Sequence, residues 1–161
     1  MQIRIYSCGG TIDKVYFDAR SDFTVGEPQI KIVFDDAIVA FDYDIESLMR
    51  KDSLEMTDED RQLVRERVAA DPARHILITH GTDTMANTAE ALMGIPDKVI
   101  VLTGSMIPAR FRVTDAVFNI GCAVGVLQSK PPGVYLAMNG RAFDAGNVRK
   151  NRAEQRFEPL G

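Results

Sequence analysis

Cysteine and long apolar segments are both scarce in this sequence of 161 residues. No run of apolar residues approaches the roughly 20 that a membrane-spanning helix requires. Residues 2–6 already alternate like a β-strand, so no signal peptide is expected ahead of the fold. The two cysteines, Cys8 and Cys122, stand at no spacing typical of metal ligands. We therefore expect buried, reduced thiols, no bound metal, no membrane partner and a location in the cytoplasm.

An excess of positive charge is also missing. The chain has 19 Lys and Arg residues against 23 Asp and Glu residues, which gives a formal net charge of −4. No basic stripe with interleaved aromatic residues is present, so a nucleic-acid partner is not expected. A chain of this length can bury about 70% of its unfolded surface, and the composition is ordinary for a soluble globular protein. A single domain is therefore predicted.

Segments typical of strands and of helices alternate along the chain, with no linker, repeat or low-complexity stretch. Strands are predicted at 2–7, 37–43, 76–79, 99–102 and 134–138. Helices are predicted at 57–70, 84–93 and 114–128, and the last is apolar nearly all round and expected to be deeply buried. The polar stretch 14–27 predicts a loop or a mobile hairpin. This alternation predicts an α/β fold, a doubly wound, mostly parallel sheet flanked by helices in a flavodoxin- or Rossmann-like three-layer domain.

Glycine and hydroxyl residues follow three of the predicted strands at the point where each strand ends. The turns are CGGT at 8–11, HGTDT at 80–84 and TGSM at 103–106. Ligands of doubly wound sheets bind outside the carboxyl ends of the strands. Because all three turns are expected at that edge, the sequence predicts a functional site there.

Two kinds of chemistry fit these turns. The glycines of CGGTID could cradle a phosphate, although neither the spacing of a P-loop nor a GxGxxG pattern is present. Alternatively, the hydroxyls themselves act. Thr11 follows two glycines, which leave its hydroxyl accessible, and a threonine nucleophile needs a base or a proton relay. Thr82 and Asp83 supply a second hydroxyl and a carboxylate, and a nearby lysine would complete such a relay.

Five segments resemble the ordered signatures of the L-asparaginase family. They are CGGTID at 8–13, DSLEMT at 52–57, ITHGTDTM at 78–85, TGSMIPAR at 103–110 and VYLAMNGRAFDAGNVRK at 134–150. The resemblance implies hydrolysis of the side-chain amide of L-asparagine to L-aspartate and ammonia. It implies a threonine nucleophile, an acyl-enzyme intermediate and no cofactor.

The resemblance also implies which residues are catalytic. Thr11, in the GGTI segment, matches the primary nucleophile. Thr82 and Asp83 match the family's second threonine and its aspartate neighbour. The family's catalytic lysine lies late in the helix that follows the TGSM turn, and Lys130 occupies that place. We therefore predict a relay of Thr82, Asp83 and Lys130.

Substrate-binding residues follow from the same resemblance. Asp52 and Ser53 match the segment that holds the α-carboxylate and α-amino groups, and Asp83 is expected to contact the α-ammonium. Gly10 and Ser105 are predicted to line the pocket. Since the turns are tight, L-glutamine is expected to be a much poorer substrate than L-asparagine.

Two departures from the family pattern change these expectations. Family members carry a second, smaller C-terminal domain, so residues 1–161 are interpreted as the N-terminal catalytic domain alone. Apolar surface left uncovered by the missing domain predicts a homo-oligomer, a dimer or tetramer. The family's mobile loop presents a tyrosine where the segment SDFTVG has Phe23. Tyr16, in the same polar stretch, is predicted to supply the catalytic hydroxyl instead.

Two other functions fit the same residues. One is a catalytically inactive amino-acid-binding or regulatory module. The other is a subunit of a tRNA-dependent amidotransferase, against which the acidic charge argues. His80 is interpreted as structural. The cluster RKNRAEQR at 149–156 is interpreted as a solvated face or a partner surface, because its charges alternate in sign.

Overall fold

The computed structural model describes residues 1–161, apart from the side chain of Arg20. The strands are β1 (Gln2–Gly9), β2 (Lys14–Phe17), β3 (Asp22–Val25), β4 (Asp42–Lys51), β5 (His75–Thr79), β6 (Val99–Thr103), β7 (Gly133–Met138), β8 (Arg141–Asp144), β9 (Arg149–Asn151) and β10 (Arg156–Glu158). The α-helices are α1 (Ile30–Ala37), α2 (Asp58–Ala70), α3 (Met85–Ala91) and α4 (Ala116–Ser129).

Six strands form the central sheet in the order β4-β1-β5-β6-β7-β8. The first five run parallel and β8 is antiparallel to β7. The predicted α/β class with a mostly parallel sheet is confirmed. The order reverses at β1, which has β4 on one side and β5 on the other, so the crevice expected to bind a ligand lies at the carboxyl ends of β1 and β5.

Helices cover both faces of this sheet, as the alternation of side chains in β1 illustrates. Ile3 and Ile5 face the layer that contains α1 and α4, whereas Tyr6 and Cys8 face the layer that contains α2 and α3. Because strands buried on both faces need apolar residues at every position, the buried parts of β5 and β6 are continuous runs of aliphatic residues that end in threonine. Of the described helices, none combines the length and apolarity that crossing a membrane requires.

Helix α2, within the predicted helix at 57–70, begins with a capping box. The Thr57 hydroxyl accepts from the Asp60 N–H at 3.2 Å, and the Asp60 carboxylate accepts from the Thr57 N–H at 2.9 Å. The Lys51 ammonium, at the end of β4, donates to the same carboxylate at 2.8 Å. These contacts fix α2 against the end of the sheet where the turns of interest lie.

The predicted strand at 37–43 is wrong. Helix α1 extends to Ala37, Ile38 takes a left-handed φ of 50°, and β4 begins only at Asp42. Two residues of this segment, Phe41 and Tyr43, pack against Phe34 of α1. The ring of Phe34 lies 5.2 Å from that of Phe41 and 5.0 Å from that of Tyr43.

Helix α4 matches the predicted helix at 114–128, but it is not deeply buried all round. Its Val117 and Phe118 side chains are 56% and 65% exposed. The apolar pattern of α4 therefore combines a core-facing stripe with an exposed apolar face.

Candidate active site

Two glycines bring the turns after β1 and β5 into direct contact. Gly10 has a φ of 87°, and a Cβ atom placed on it would collide with the backbone of Gly81. The Gly10 N–H donates to the carbonyl of Lys51 at 2.9 Å, which holds the first turn against the end of β4. Only glycine fits such an approach of two backbones, and the contact sets the adjoining threonines, Thr11 and Thr82, at one cavity.

This cavity has a volume of about 320 Å³ and lies where the sheet topology predicts a ligand site. It is lined by side chains from four separate segments: Thr11, Thr82, Asp83, Met106, Lys150, Arg152 and Gln155. Hydroxyls, a carboxylate and two basic groups thus meet around one small space.

Lys150 joins the residues of the second turn. Its Nζ donates to Thr82 Oγ1 at 2.7 Å and to Asp83 Oδ1 at 2.9 Å. The Lys150 and Asp83 side chains are 15% and 29% exposed, so the group is partly shielded from water. A lysine in contact with a hydroxyl can exchange a proton with it, and the adjacent carboxylate stabilises the ammonium form.

The prediction that Lys130 supplies this lysine is wrong. Lys130 lies at the C-terminal end of α4, is exposed, and places its Nζ 5.4 Å from the centre of the Tyr135 ring. The chain enters β7 at Gly133, soon after Lys130, so Lys130 lies at the amino-terminal edge of the sheet. Thr82 follows β5 at the opposite, carboxyl edge.

The sequence contains a signal for Lys150, although the charge pattern around it favours a different interpretation. Lys150 is the last residue of the segment that resembles the L-asparaginase family, and it belongs to the charged cluster interpreted as a solvated face. In the structure it pairs across the hairpin β9–β10 with Phe157, which is 3% exposed. The Phe157 N–H also donates to Asn139 Oδ1 at 2.8 Å. The hairpin is therefore anchored in the core and presents Lys150 and Arg152 to the cavity.

Thr11 differs from Thr82 in its hydrogen bonding. Within the described part of the chain, the Thr11 hydroxyl has no hydrogen-bond partner, and Thr11 lines the cavity. The turn that carries it is supported from below by Asp13, which accepts from Ser7 Oγ and from the Gln29 N–H, both at 2.9 Å. Burial raises the pKa of Asp13 to about 6. The Thr11 hydroxyl is thus positioned by its backbone and left available to a ligand.

His80 is fully buried behind the second turn. Its Nδ1 lies 2.7 Å from the Gly81 carbonyl, which can only accept, so Nδ1 carries the proton. Its Nε2 then accepts from the Thr88 hydroxyl at 2.7 Å. Burial lowers the pKa of His80 to about 4. These contacts agree with the structural role predicted for His80.

The buried His80 makes stability depend on pH. Its pKa in the folded chain is about 4, below the ordinary 6.5, so the stability that the neutral ring contributes is present above pH 6.5 and is lost as pH falls towards 4. The free energy of unfolding of the wild type should therefore fall by about 3 kcal/mol relative to His80→Gln between pH 7 and pH 4. Urea unfolding of both chains at the two pH values measures this difference.

The comparison with His80→Gln removes other titrating groups from the measurement. The raised pKa of Asp13 acts in the opposite direction, because its stability contribution is greatest below its ordinary pKa of 3.8 and is lost as pH rises through about 6. Asp13 is present in both chains and cancels. A difference that stays constant across the range would show that His80 is not buried in its neutral form.

The TGSM turn is held by Asp115, which precedes α4. The Asp115 carboxylate accepts from the N–H groups of Met106 at 2.9 Å and Ile107 at 3.0 Å. Met106 then lines the cavity. The Ser105 hydroxyl, by contrast, is wholly buried and donates to the Ile107 carbonyl at 2.6 Å. A direct contact between Ser105 and a substrate would therefore require this turn to open.

Asp52 and Ser53 lie beside the second turn, outside the set of described residues that line the cavity. Asp52 Oδ1 accepts from the Leu54 N–H at 3.1 Å, and its other oxygen lies 4.0 Å from Lys14 Nζ. Ser53 is buried below Gly81, and its Oγ accepts from the Thr84 N–H at 3.2 Å. Both side chains serve the local backbone in this structure.

Tyr16 lies on the β2–β3 hairpin, and the structure does not place it in the cavity with Thr11. It is 54% exposed, and its ring packs edge-on against Phe23 at 5.5 Å. It lines a separate cavity together with Phe111 and Arg110. The predicted hairpin at 14–27 is confirmed as secondary structure, whereas a catalytic role for Tyr16 stays a prediction that needs the hairpin to move.

Comparisons with known proteins identify the family to which this fold and sequence are similar. The family described as asparaginase, N-terminal, matches residues 2–158. A glutaminase-asparaginase of Acinetobacter glutaminasificans is 36% identical over 110 residues, 65% of this chain and 32% of that protein. A glutamyl-tRNA(Gln) amidotransferase component of Methanococcus maripaludis is 32% identical over 154 residues, 88% of this chain and 36% of that protein. The thermostable L-asparaginase from Thermococcus kodakarensis has a TM-score of 0.89 at 25% identity, over 99% of this chain and 51% of that chain.

Each match covers only part of the known protein. The chain spans about half the length of the solved structure and about a third of the length of the two relatives.

Proposed function

The chain belongs to the asparaginase family, and on that premise we propose that it hydrolyses the side-chain amide of L-asparagine to L-aspartate and ammonia. The observation that carries this proposal is the position of Lys150 between Thr82 and Asp83, in the cavity that also contains Thr11. A hydroxyl, a base in contact with a second hydroxyl, and a carboxylate are the groups that acyl transfer requires.

In the proposed reaction, Thr11 Oγ attacks the amide carbon. Its proton passes through Thr82 to Lys150 and then to the departing nitrogen, so that ammonia leaves and an ester to Thr11 remains. Water then attacks the ester and gives a proton to the same relay, which returns a proton to Thr11 Oγ as the ester bond breaks and L-aspartate is released. Asp83 stabilises the protonated Lys150 during both steps. The N–H groups of Thr11 and Thr82, each next to a glycine turn, are proposed as donors to the tetrahedral oxyanion.

The test is ammonia release by the purified chain, with L-aspartate measured in parallel. The proposal expects ammonia and L-aspartate in equal amounts from L-asparagine. Binding of L-asparagine without any ammonia would instead establish an amino-acid-binding module, the first alternative. If the chain hydrolyses neither L-asparagine nor L-glutamine and binds neither amino acid, both the amidohydrolase and the amino-acid-binding module are excluded.

L-Glutamine should be the poorer substrate, because an additional methylene must fit the same 320 Å³ cavity. One methylene is worth roughly 1–3 kcal/mol of discrimination, so kcat/KM should be lower by about 10- to 200-fold. Initial rates of ammonia release over a range of both amides measure the ratio. Equal kcat/KM values would show that the cavity does not select by side-chain length.

A second candidate function rests on the amidotransferase relative, whose match covers 88% of this chain. In that case ammonia production would depend on a partner protein. The same assay distinguishes the two functions, since an independent amidohydrolase reaches its full rate alone. A rate that rises only when a cell extract is added, and that follows a co-purifying protein, would favour the role within an amidotransferase.

Tyr16 is proposed to supply a hydroxyl to Thr11 when the β2–β3 hairpin closes over the substrate. Tyr16→Phe removes one oxygen and keeps the contact between the rings of residues 16 and 23. Loss of a positioned proton-transfer group should lower kcat by on the order of 10², with KM changed much less. Near-wild-type turnover would remove Tyr16 from the mechanism and leave Lys150 to activate Thr11 through Thr82.

Self-association and a cytoplasmic location complete the proposal. Val113, Val117 and Phe118 are 78%, 56% and 65% exposed, and these apolar side chains at and before the start of α4 could be covered by a second copy of the chain. Light scattering at micromolar concentration tests this self-association, and a monomeric mass would contradict it.

A location in the cytoplasm is proposed because Cys8 and Cys122 are free thiols.

A further inference from the structure

We infer that Asp13 is a positioning residue for the proposed reaction, because it joins the turn that carries Thr11 to both ends of the β2–β3 hairpin. The inference rests on the proposed function and assigns a role to a buried carboxylate that the proposed reaction leaves unused. The charge of Asp13 is expected to matter as well as its hydrogen bonds.

Asp13 ends the short turn that begins at Thr11, and its side chain is wholly buried. Its N–H donates to the Gly10 carbonyl at 3.1 Å, which closes this turn. Its carboxylate accepts from Ser7 Oγ in β1 and from the Gln29 N–H at the start of α1, both at 2.9 Å. Asp13 therefore fixes the turn that carries Thr11 to two elements of the core.

The β2–β3 hairpin, which carries Tyr16, begins and ends at Asp13. Strand β2 starts at the next residue, and the N–H of Gly26, which follows β3, donates to the Asp13 carbonyl at 2.9 Å. Residues at the ends of a moving element absorb its change of direction. Because Asp13 is itself fixed to β1 and α1, Thr11 can keep its place while the hairpin moves.

The ionised form of Asp13 lowers the stability of the fold. Burial raises the pKa of Asp13 to about 6 from the ordinary 3.8. The stability that its neutral form contributes is therefore complete below pH 3.8 and is lost as pH rises through about 6. A buried charge that is retained at such a cost is typical of functional sites.

Other titratable side chains lie near Asp13 on β1, on β4 and after β3. Arg50, in β4, favours the ionised form, and Glu27, after β3, lies 3.8 Å from the Arg50 guanidinium. Cys8, in β1, stays a thiol, because burial raises its pKa to about 12. Since the contact from α1 is an uncharged backbone N–H, protonation of Asp13 itself changes the charge at this turn.

Protonation weakens the contacts that Asp13 makes. The Gln29 N–H can only donate, so the proton must lie on the oxygen that faces Ser7, whose hydroxyl then accepts. Both hydrogen bonds lose the strength that a charged acceptor gives them. Asparagine offers the same pattern, with its oxygen towards Gln29 and its NH₂ group towards Ser7. Asp13→Asn therefore imitates the protonated form at every pH.

Asp13→Asn should lower kcat for L-asparagine by about tenfold at pH 8, with little change in KM, because a small displacement of a reacting group costs rate. The ratio of the wild-type kcat to that of Asp13→Asn should fall towards one at pH 5, where Asp13 of the wild type is itself protonated. Groups present in both chains cancel from this ratio. Ammonia release between pH 5 and pH 8 measures it.

Asp71→Asn is the matched control. The Asp71 carboxylate likewise accepts from one hydroxyl, that of Tyr6 at 2.6 Å, and from one backbone N–H, that of Ala73 at 2.8 Å. Asp71 follows α2 and precedes β5, so it lies at the amino-terminal edge of the sheet, opposite the turns of the site. Asp71→Asn should keep the wild-type kcat but unfold at a lower urea concentration.

Stability separates a positioning role from a structural one. At pH 7 Asp13→Asn should unfold at the same urea concentration as the wild type or at a higher one, because it removes a buried charge. Lower activity with undiminished stability supports positioning. A wild-type kcat in Asp13→Asn at pH 8, or a loss of stability like that of Asp71→Asn, would overturn the inference.

A measurement without turnover completes the test. The NMR resonance of the Thr11 methyl group, assigned by its absence in Thr11→Val, should move with pH in the wild type and in Asp71→Asn, with a midpoint of about 6. It should stay constant in Asp13→Asn. If this is observed but no ammonia is released, the proposed hydrolysis fails and the link between Asp13 and Thr11 stands. If ammonia is released and the resonance does not move, the hydrolysis stands and the role of Asp13 fails.

Discussion

Lys150→Met should lower kcat for L-asparagine by on the order of 10³. Lys150 contacts both Thr82 and Asp83, so its removal takes away the base while methionine retains most of the aliphatic volume. The fold should persist, because the hairpin is anchored by Phe157 rather than by Lys150. Steady-state ammonia release at saturating L-asparagine measures the loss, and thermal unfolding checks the fold.

Thr82→Val tests whether Lys150 acts through the Thr82 hydroxyl. Alone it should lower kcat by on the order of 10² or more, and combining it with Lys150→Met should add little, because the two residues belong to one relay. Losses that multiply would mean that Lys150 and Thr82 act independently. In that case Lys150 would be a structural partner of Asp83.

Thr11→Val should have the largest effect on catalysis, a loss in kcat on the order of 10⁴ or more. Valine has nearly the same shape as threonine but lacks the hydroxyl that would form the ester. Within the described residues that hydroxyl has no hydrogen-bond partner to lose, so stability should change little. Ammonia release measures the effect, and calorimetry with L-aspartate confirms that the variant still binds product.

The contrast between Thr11 and Thr82 identifies the nucleophile. A smaller loss for Thr11→Val than for Thr82→Val would assign the attack to Thr82, whose hydroxyl already contacts Lys150 at 2.7 Å. An equal unfolding temperature for the wild type and both variants is the control, since a change in fold would lower activity without bearing on the chemistry.

Much of the fold could be predicted from the sequence because its central strands are buried on both faces. After His75, every position of β5 and β6 is aliphatic or a threonine, and a glycine turn follows each strand, so their type and direction were evident. The strand expected at 37–43 failed for a different reason. Its aromatic residues pack on Phe34 of α1, a tertiary contact that local pattern does not distinguish from a strand.

The site could be predicted where its residues follow one another in the chain. Thr82 and Asp83 stand together in one turn, and Thr11 directly follows the glycines that bring it to them. Lys150 could not be placed by the same reasoning. It is separated from Thr82 by 68 residues, and its position depends on how the β9–β10 hairpin docks on the core. Lys130 satisfied the spacing along the chain but lies at the opposite edge of the sheet.

The most direct test of the proposed site is ammonia release from L-asparagine by the wild type, Lys150→Met and Lys130→Met, prepared and assayed together. We expect the wild type and Lys130→Met to release ammonia at the same steady rate, and Lys150→Met to stay near background. Activity retained in Lys150→Met would contradict the assignment of the relay. A wild type that binds L-aspartate but releases no ammonia at any protein concentration would contradict the proposed hydrolysis itself.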